Sequence, residues 1–306
     1  MTKSFTSKIL PDVEGILTPN VILAKSSWFG VGGPAEFLFI PKDENDLKKF
    51  LKSVNPKIPI FTLGASSNVL IRDGGVAGVV IKLGSNFNDI ISLNSTIKTG
   101  ASAMDMNISK FAAKKGIGGM EFLSGIPGSI GGSVKMNAGA FGYEISDILK
   151  RVRFVNRSGE VKEIDGNDIR MGYRKSFFPK GSIILEVQLK GYPLPKNLIL
   201  NKMKDIKDKR LNSQPVKNLT GGSTFKNPKG FKAWELIDKA GCRGLIIGGA
   251  EISKTHPNFI INKGNALSAD IESLGLEVKR RVKEYCGIDL KWEIKRVGKK
   301  EKKRSK

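Results

Sequence analysis

Apolar residues run together or alternate at Ala35–Pro41 (AEFLFIP) and Pro59–Gly64 (PIFTLG), the pattern of strands. Between them, 43–53 has helical spacing, with Asp43 placed to cap the first turn. This makes a small β-α-β unit. The next apolar run, VLIRDGGVAGVVIKL, continues as strand, so Gly64–Asn68 joins strand to strand. A dinucleotide fingerprint needs its glycines to open a helix, and a Rossmann site is therefore not expected here.

Further strands are expected within 76–101, and a helix over Met104–Lys115, where Met104, Ile108, Phe111 and Ala112 share one side. Ile148–Asn156 and VKEID form a hairpin about Arg157-Ser158-Gly159, and Ser182–Gly191 is a long strand. Pro193-Leu194-Pro195 reads as a linker. Beyond it come a basic helix over 197–212, the loop GGSTFKNP, a helix AWELIDKAG ended by Gly241 and a short strand NFIINKG. A helix over 268–286 and a last strand, LKWEIKRVG, complete a second, smaller α+β region. The fold class is α+β.

Composition narrows the chemistry. The 306 residues are 40% hydrophobic, with no apolar run long enough to span a membrane and no signal-peptide core in MTKSFTSKIL. A cytoplasmic protein without membrane insertion is expected. Cys242 and Cys286 lack disulfide or metal spacing and suit buried thiols in a reducing compartment. The formal charge is +23, yet the lysines are dispersed and aromatic residues do not interleave with them, so no nucleic-acid partner is expected. Only the tail concentrates charge. His256 is the sole histidine, which leaves no two-histidine metal site and no His-based triad upstream of it. Chemistry must come from hydroxyls, carboxylates, arginine, lysine or a bound cofactor.

The most unusual stretch is SGIPGSIGGSVKMNAGAFG, Ser124–Gly142, which has no acidic side chain and Lys135 as its only charge. Two readings stand at this point: turn-forming glycines, or backbone N–H groups cradling a phosphate. Gly64–Asn68, with its two serines and asparagine at a strand end, invites the same pair of readings.

The ordered series VGGPAEFL, LGASSNVLIRDGG, EFLSGIPGSIGGSVKMNAGAFG, GYRKS, TGGSTFKNP, HPNFIIN and LKWEIKRVG resembles the UDP-N-acetylenolpyruvoylglucosamine reductases, over roughly 26–298. The resemblance implies a p-cresol-methylhydroxylase (vanillyl-alcohol-oxidase) type FAD-binding domain at 26–192, with subdomains near 26–63 and 64–192. A substrate-binding domain would follow at 193–298, with a lead-in at 1–25 and a basic tail at 299–306. It implies non-covalent FAD, NADPH as hydride donor, and reduction of a UDP-sugar enolpyruvyl ether to its lactyl ether in peptidoglycan precursor synthesis. A monomer is expected.

Residue roles follow from the same likeness. Gly64, Ala65, Ser66, Ser67 and Asn68, with Ser124, Gly125, Ile126, Pro127, Gly128, Ile130, Gly131, Gly132 and Asn137, fall where the family holds FAD. Ser223 matches the proton donor, and Arg174 and Glu293 match the residues stabilising the enolate-like intermediate. Tyr173, Lys226 and Asn227 match substrate contacts, and His256 suits a structural or substrate-edge role. By themselves, Glu293 would pass for a strand carboxylate and Arg174 for a solvated cation. Two departures reduce the positive charge near the ligands: Gly30 and Ser213 stand where arginine and lysine are common. With no tyrosine between Tyr192 and Trp234, the chain resembles the shorter type lacking an inserted tyrosine loop. The competing readings are another FAD oxidoreductase of this flavin fold and a basic nucleic-acid binder, which charge alone supports.

Overall fold

The computed structural model describes residues 10–301; the last residues of the basic tail, 302–306, lie outside them. The chain forms two compact units. Phe37–Ala65 and Gly78–Lys209, with the described residues up to Pro19, make the first; Asn20–Glu36, Ser66–Ala77 and the described residues from Arg210 make the second. Along the sequence the two units interleave.

The first unit holds an antiparallel five-stranded sheet in the spatial order Val161–Asp165, Leu149–Val155, Ile183–Lys190, Thr96–Gly100, Ile90–Leu93. Ile97, Val152, Val187 and Leu189 bury one face of it against Ile108 and Ala112 of helix α1, Asp105–Lys115. A second core joins Leu47, Phe50 and Leu51 of the Glu44–Ser53 helix to Phe39, Val79 and Ile81. The Asp43 carboxylate caps that helix by accepting the Asp46 N–H at 2.9 Å, as its position implied. Ile60–Thr62 runs parallel to Val76–Ile81, closing the expected β-α-β unit.

Two features of this unit go beyond the sequence reading. The Ser124–Gly142 stretch contributes to the core: it contains helix α2, Ile130–Met136, whose Ile130 and Val134 are completely buried. Two fully buried aliphatic side chains contribute roughly 1.5–3 kcal/mol each, enough to anchor a glycine-rich segment. The Pro193-Leu194-Pro195 linker is pinned, not free. Tyr192–Pro193 pairs with Ile117–Gly118, and the Leu194 N–H donates to the Gly116 carbonyl at 2.9 Å.

In the second unit, Ile246–Ile247, Ala250–Ile252 and Ile260–Asn262 form a three-stranded antiparallel sheet. Helix α3, Ser268–Cys286, covers the core through Ile271, Leu274, Val278 and Val282 and ends at Gly287 with φ +70°. The last strand, Lys295–Val297, pairs in parallel with Val69–Ile71, more than two hundred residues away in sequence. No helix among the described residues is long and apolar enough to cross a membrane.

Candidate active site

In the first unit the glycine-rich segment is laid against the turn that follows Thr96–Gly100. The Ile130 and Gly131 N–H groups donate to the carbonyls of Ala103 and Ala101, both at 2.9 Å, and the Asp105 N–H donates to the Gly128 carbonyl at 3.0 Å. Two of the expected phosphate donors are therefore already engaged. Close approach, not a left-handed backbone, explains Gly64 and Gly131, whereas Gly142 does take a left-handed φ of +88°. A Cβ at Gly64 would lie 2.7 Å from Ser129 Oγ, and one at Gly131 would lie 2.9 Å from the Ala101 Cβ. Gly125, Gly128, Gly131 and Gly132 do not adopt positive φ; Asn137 and Phe141 do, at +46° and +55°.

Asn137 is completely buried, its Oδ1 accepting the Ser146 N–H at 2.9 Å and its Nδ2 donating to the Gly172 carbonyl at 3.2 Å. One end of its amide thus ties the segment to the turn at Ile145–Asp147, and the other to the turn that carries Tyr173 and Arg174. Arg174 takes φ +54°, rare for a side chain of its size, and donates from Nη2 to the Gly139 carbonyl at 2.7 Å. Its guanidinium stacks 5.0 Å from the exposed Tyr173 ring. A turn cation that looked solvated in the sequence is held in place from two sides.

Sequence reasoning missed Asp105. It is completely buried, with Oδ2 2.5 Å from Ser133 Oγ and no partner for Oδ1 among the described residues, and burial pushes its carboxyl well above the ordinary range. An acid kept neutral under the glycine segment adds no negative charge where an anion is expected. Because the folded carboxyl resists ionisation, stability is full below the unfolded value (about pH 3.9) and is lost as pH rises toward the folded one. The unfolding temperature of Asp105→Asn is expected to gain on that of the parent from acid to neutral pH. Thermal denaturation across that range checks it, and a variant whose unfolding temperature relative to the parent stays constant or falls as pH rises removes the assignment.

The loop expected at Gly64–Asn68 leads into Val69–Ile71 as strand. Ser66 sits at φ +60°, is 4% exposed, and its Oγ has no hydrogen-bond partner among the described residues. A buried hydroxyl left orphaned invites a ligand acceptor. Within the first unit, the close-packed glycines and the absence of acidic side chains from Ser124–Gly142 also fit an anion such as a diphosphate.

Within the second unit, Ser223, Glu293 and Asn68 come together. Residues 223–226 run extended between two segments: Ser223 bridges Phe259, and the Glu293 N–H donates to the Thr224 carbonyl at 2.9 Å. Asn258, 4% exposed and overlooked in the sequence, grips both sides of Phe225, accepting its N–H at 2.9 Å and donating to its carbonyl at 2.8 Å. Asn68 Nδ2 donates to the Glu293 carbonyl at 3.2 Å, and the Lys295 N–H donates to the Asn68 carbonyl at 3.0 Å. The Lys226 N–H donates to the Lys291 carbonyl at 2.9 Å, and Asn227 Oδ1 accepts the Ala233 N–H at 2.9 Å, starting the Ala233–Lys239 helix. Gly30 has φ +67°, so an arginine here would carry backbone strain, and its Cβ would press on Leu219 at 3.0 Å. His256 is half-buried between Trp234 and Phe259, with its pKa lowered by burial, as a structural histidine should be.

Residues 35–165 match the family model of an FAD binding domain, and 214–297 match that of the UDP-N-acetylenolpyruvoylglucosamine reductase C-terminal domain. The curated UDP-N-acetylenolpyruvoylglucosamine reductase of Acidiphilium cryptum is 50% identical over 94% of both chains, and that of Gluconobacter oxydans is 47% identical over 94% of both. The chain belongs to the UDP-N-acetylenolpyruvoylglucosamine reductase family. The solved reductase of Thermus caldophilus superposes with a TM-score of 0.80 at 35% identity, covering 94% of this chain and all of that one. An FAD-binding domain followed by a reductase-specific domain is therefore the architecture of this family member, as the motif series implied.

Proposed function

We infer that the chain is an FAD-dependent oxidoreductase that reduces UDP-N-acetylenolpyruvoylglucosamine to UDP-N-acetylmuramate with NADPH, a step of peptidoglycan precursor synthesis. The observation that carries this reading is the pairing of Ser223 and Glu293 on adjoining extended segments, in a chain about half identical to curated reductases along nearly its whole length. When bound, FAD would supply the hydride chemistry that links NADPH to the terminal carbon of the enolpyruvyl group.

The protein's own part is charge and proton control. As the terminal carbon gains hydride, negative charge develops at the α-carbon and its carboxylate. Arg174 offers a planar fork of donors to that carboxylate, and Ser223 Oγ–H supplies the proton that completes the lactyl ether. A free serine is a poor acid, so the Glu293 segment beside it assists the transfer and the enolate. Ser66 and the close-packed segment at Gly64 and Gly128–Gly132 would hold the FAD diphosphate. Tyr173, Lys226 and Asn227 serve the substrate. A UDP-sugar and NADPH are charged nucleotides made inside cells, which places the activity in the cytoplasm, with the chain acting as a monomer of the type lacking the tyrosine loop.

The absorbance spectrum of the purified protein, followed by NADPH oxidation with and without the enolpyruvyl sugar nucleotide, tests the reading. A flavin spectrum and substrate-dependent oxidation are expected; oxidation indifferent to that substrate would overturn it. Residues 35–165, matched by the flavin-domain model, contain neither histidine nor cysteine, the usual covalent anchors. Acid precipitation is accordingly expected to release all yellow colour into the supernatant. Colour that stays with the pellet would show a covalent link.

A further inference from the structure

We propose that Glu272 is a positioning residue for Glu293, acting through the two-stranded sheet beside it; the proposal rests on the catalytic reading of Glu293 given above. Glu272 lies on α3 and is 6% exposed. Arg72, just past Val69–Ile71, grips its two oxygens at 2.9 and 2.8 Å through Nε and Nη2, and Arg296, in Lys295–Val297, reaches Oε1 at 3.0 Å. One buried carboxylate therefore ties down both strands of the parallel pair. Arg72 adds a bond from Nη1 to the Gly298 carbonyl at 3.1 Å. The same stretch holds the start of α3, where Asp73 accepts the N–H groups of Ser268 and Ala269, both at 2.9 Å.

Alternation along an extended segment turns this clamp into an aiming device. Trp292, Ile294 and Arg296 face the core: Ile294 is buried, the Arg296 guanidinium stacks 4.4 Å from the Trp292 ring, and that ring packs 4.9 Å from Phe225. Gly275 of α3 leaves the room that Trp292 occupies, since a Cβ there would collide with the indole. Glu293 and Lys295 take the positions between these, with Ile294 at a bend. A slip of one residue would exchange the two sets of positions, and the Glu272 clamp opposes that slip from the core side. Glu272 is held ionised, first by its hydrogen bond from Arg72, so the cluster keeps its charge at neutral pH.

Glu272→Gln removes the charge that both guanidiniums share while keeping the side chain's size. The expected result is retained flavin and unchanged flavin reduction by NADPH, with the subsequent reaction with the enolpyruvyl sugar slowed about 10-fold to 10²-fold, the scale of a misplaced catalytic group. Amide hydrogen exchange in Val69–Ile71 and Lys295–Val297 should accelerate beyond that in the Ala250–Ile252 strand. Arg296→Met keeps a stem over Trp292 and should give the same pattern more weakly, which serves if the glutamine variant does not fold. Normal rates in the second step, or equal slowing of both steps with loss of flavin, would overturn the proposal. Glu293→Gln measured alongside separates the causes: loss there with none in Glu272→Gln sinks the clamp alone, whereas full rates in both sink the role of Glu293 and the clamp with it.

Discussion

Ser223→Ala is expected to lower turnover with the enolpyruvyl sugar nucleotide roughly 10²-fold to 10⁴-fold, the range for removing a general acid. Little else should change. Ser223 is held through its backbone, by the bridge to Phe259, and its neighbour Thr224 donates its N–H to the Asn258 carbonyl at 2.7 Å. None of these bonds needs the hydroxyl, so flavin content and the unfolding temperature should match the parent. The loss belongs in kcat and equally in kcat/KM, because the proton moves only in the transition state. Stopped-flow following of flavin absorbance divides the steps: reduction by NADPH stays fast and reoxidation by the substrate slows. Unchanged reoxidation would remove Ser223 from its role.

Arg174→Lys is expected to cost about 10²-fold to 10³-fold, the scale for losing a donor aimed at developing charge. The substitution preserves charge and changes geometry. Lysine at φ +54° bears the same backbone strain as arginine, so the fold is not the variable. What disappears is the fork that donates to Gly139 and stacks on Tyr173 while presenting parallel N–H groups to a carboxylate. A compact ammonium on a flexible stem cannot satisfy all three at once. Steady-state kinetics checks this, and parental kcat/KM in the lysine variant would show that charge alone suffices.

Elements with strong local signals were legible in the chain. Asp43 announced a helix cap, the period of Ser268–Cys286 announced a covering helix, and VKEID announced its hairpin. The glycine segment was legible as special but not as what it is. Its glycines suggested φ > 0 and free N–H groups, while the structure uses Gly131 for close packing against Ala101 and spends its N–H on a carbonyl. Whether a glycine serves conformation or proximity depends on what lies opposite, and that is not written locally. Asp105 and Glu272 were invisible for the same reason, being ordinary helix carboxylates until burial and distant partners define them.

By itself, the sequence determined that this is an α+β chain with a flavin-domain motif series, almost no histidine and a serine–arginine–glutamate set at family positions. Composition and ordered motifs carry that information because chemistry needs particular side chains whatever their surroundings. Only the tertiary structure decided that Glu293 stands beside Asn68 and Ser223, that Asn137 is a tie instead of an open donor, and that one buried carboxylate holds two arginines. These contacts join residues up to 225 apart in sequence. Their register is set by which faces can be buried together, a property of the whole packed chain and of no single stretch.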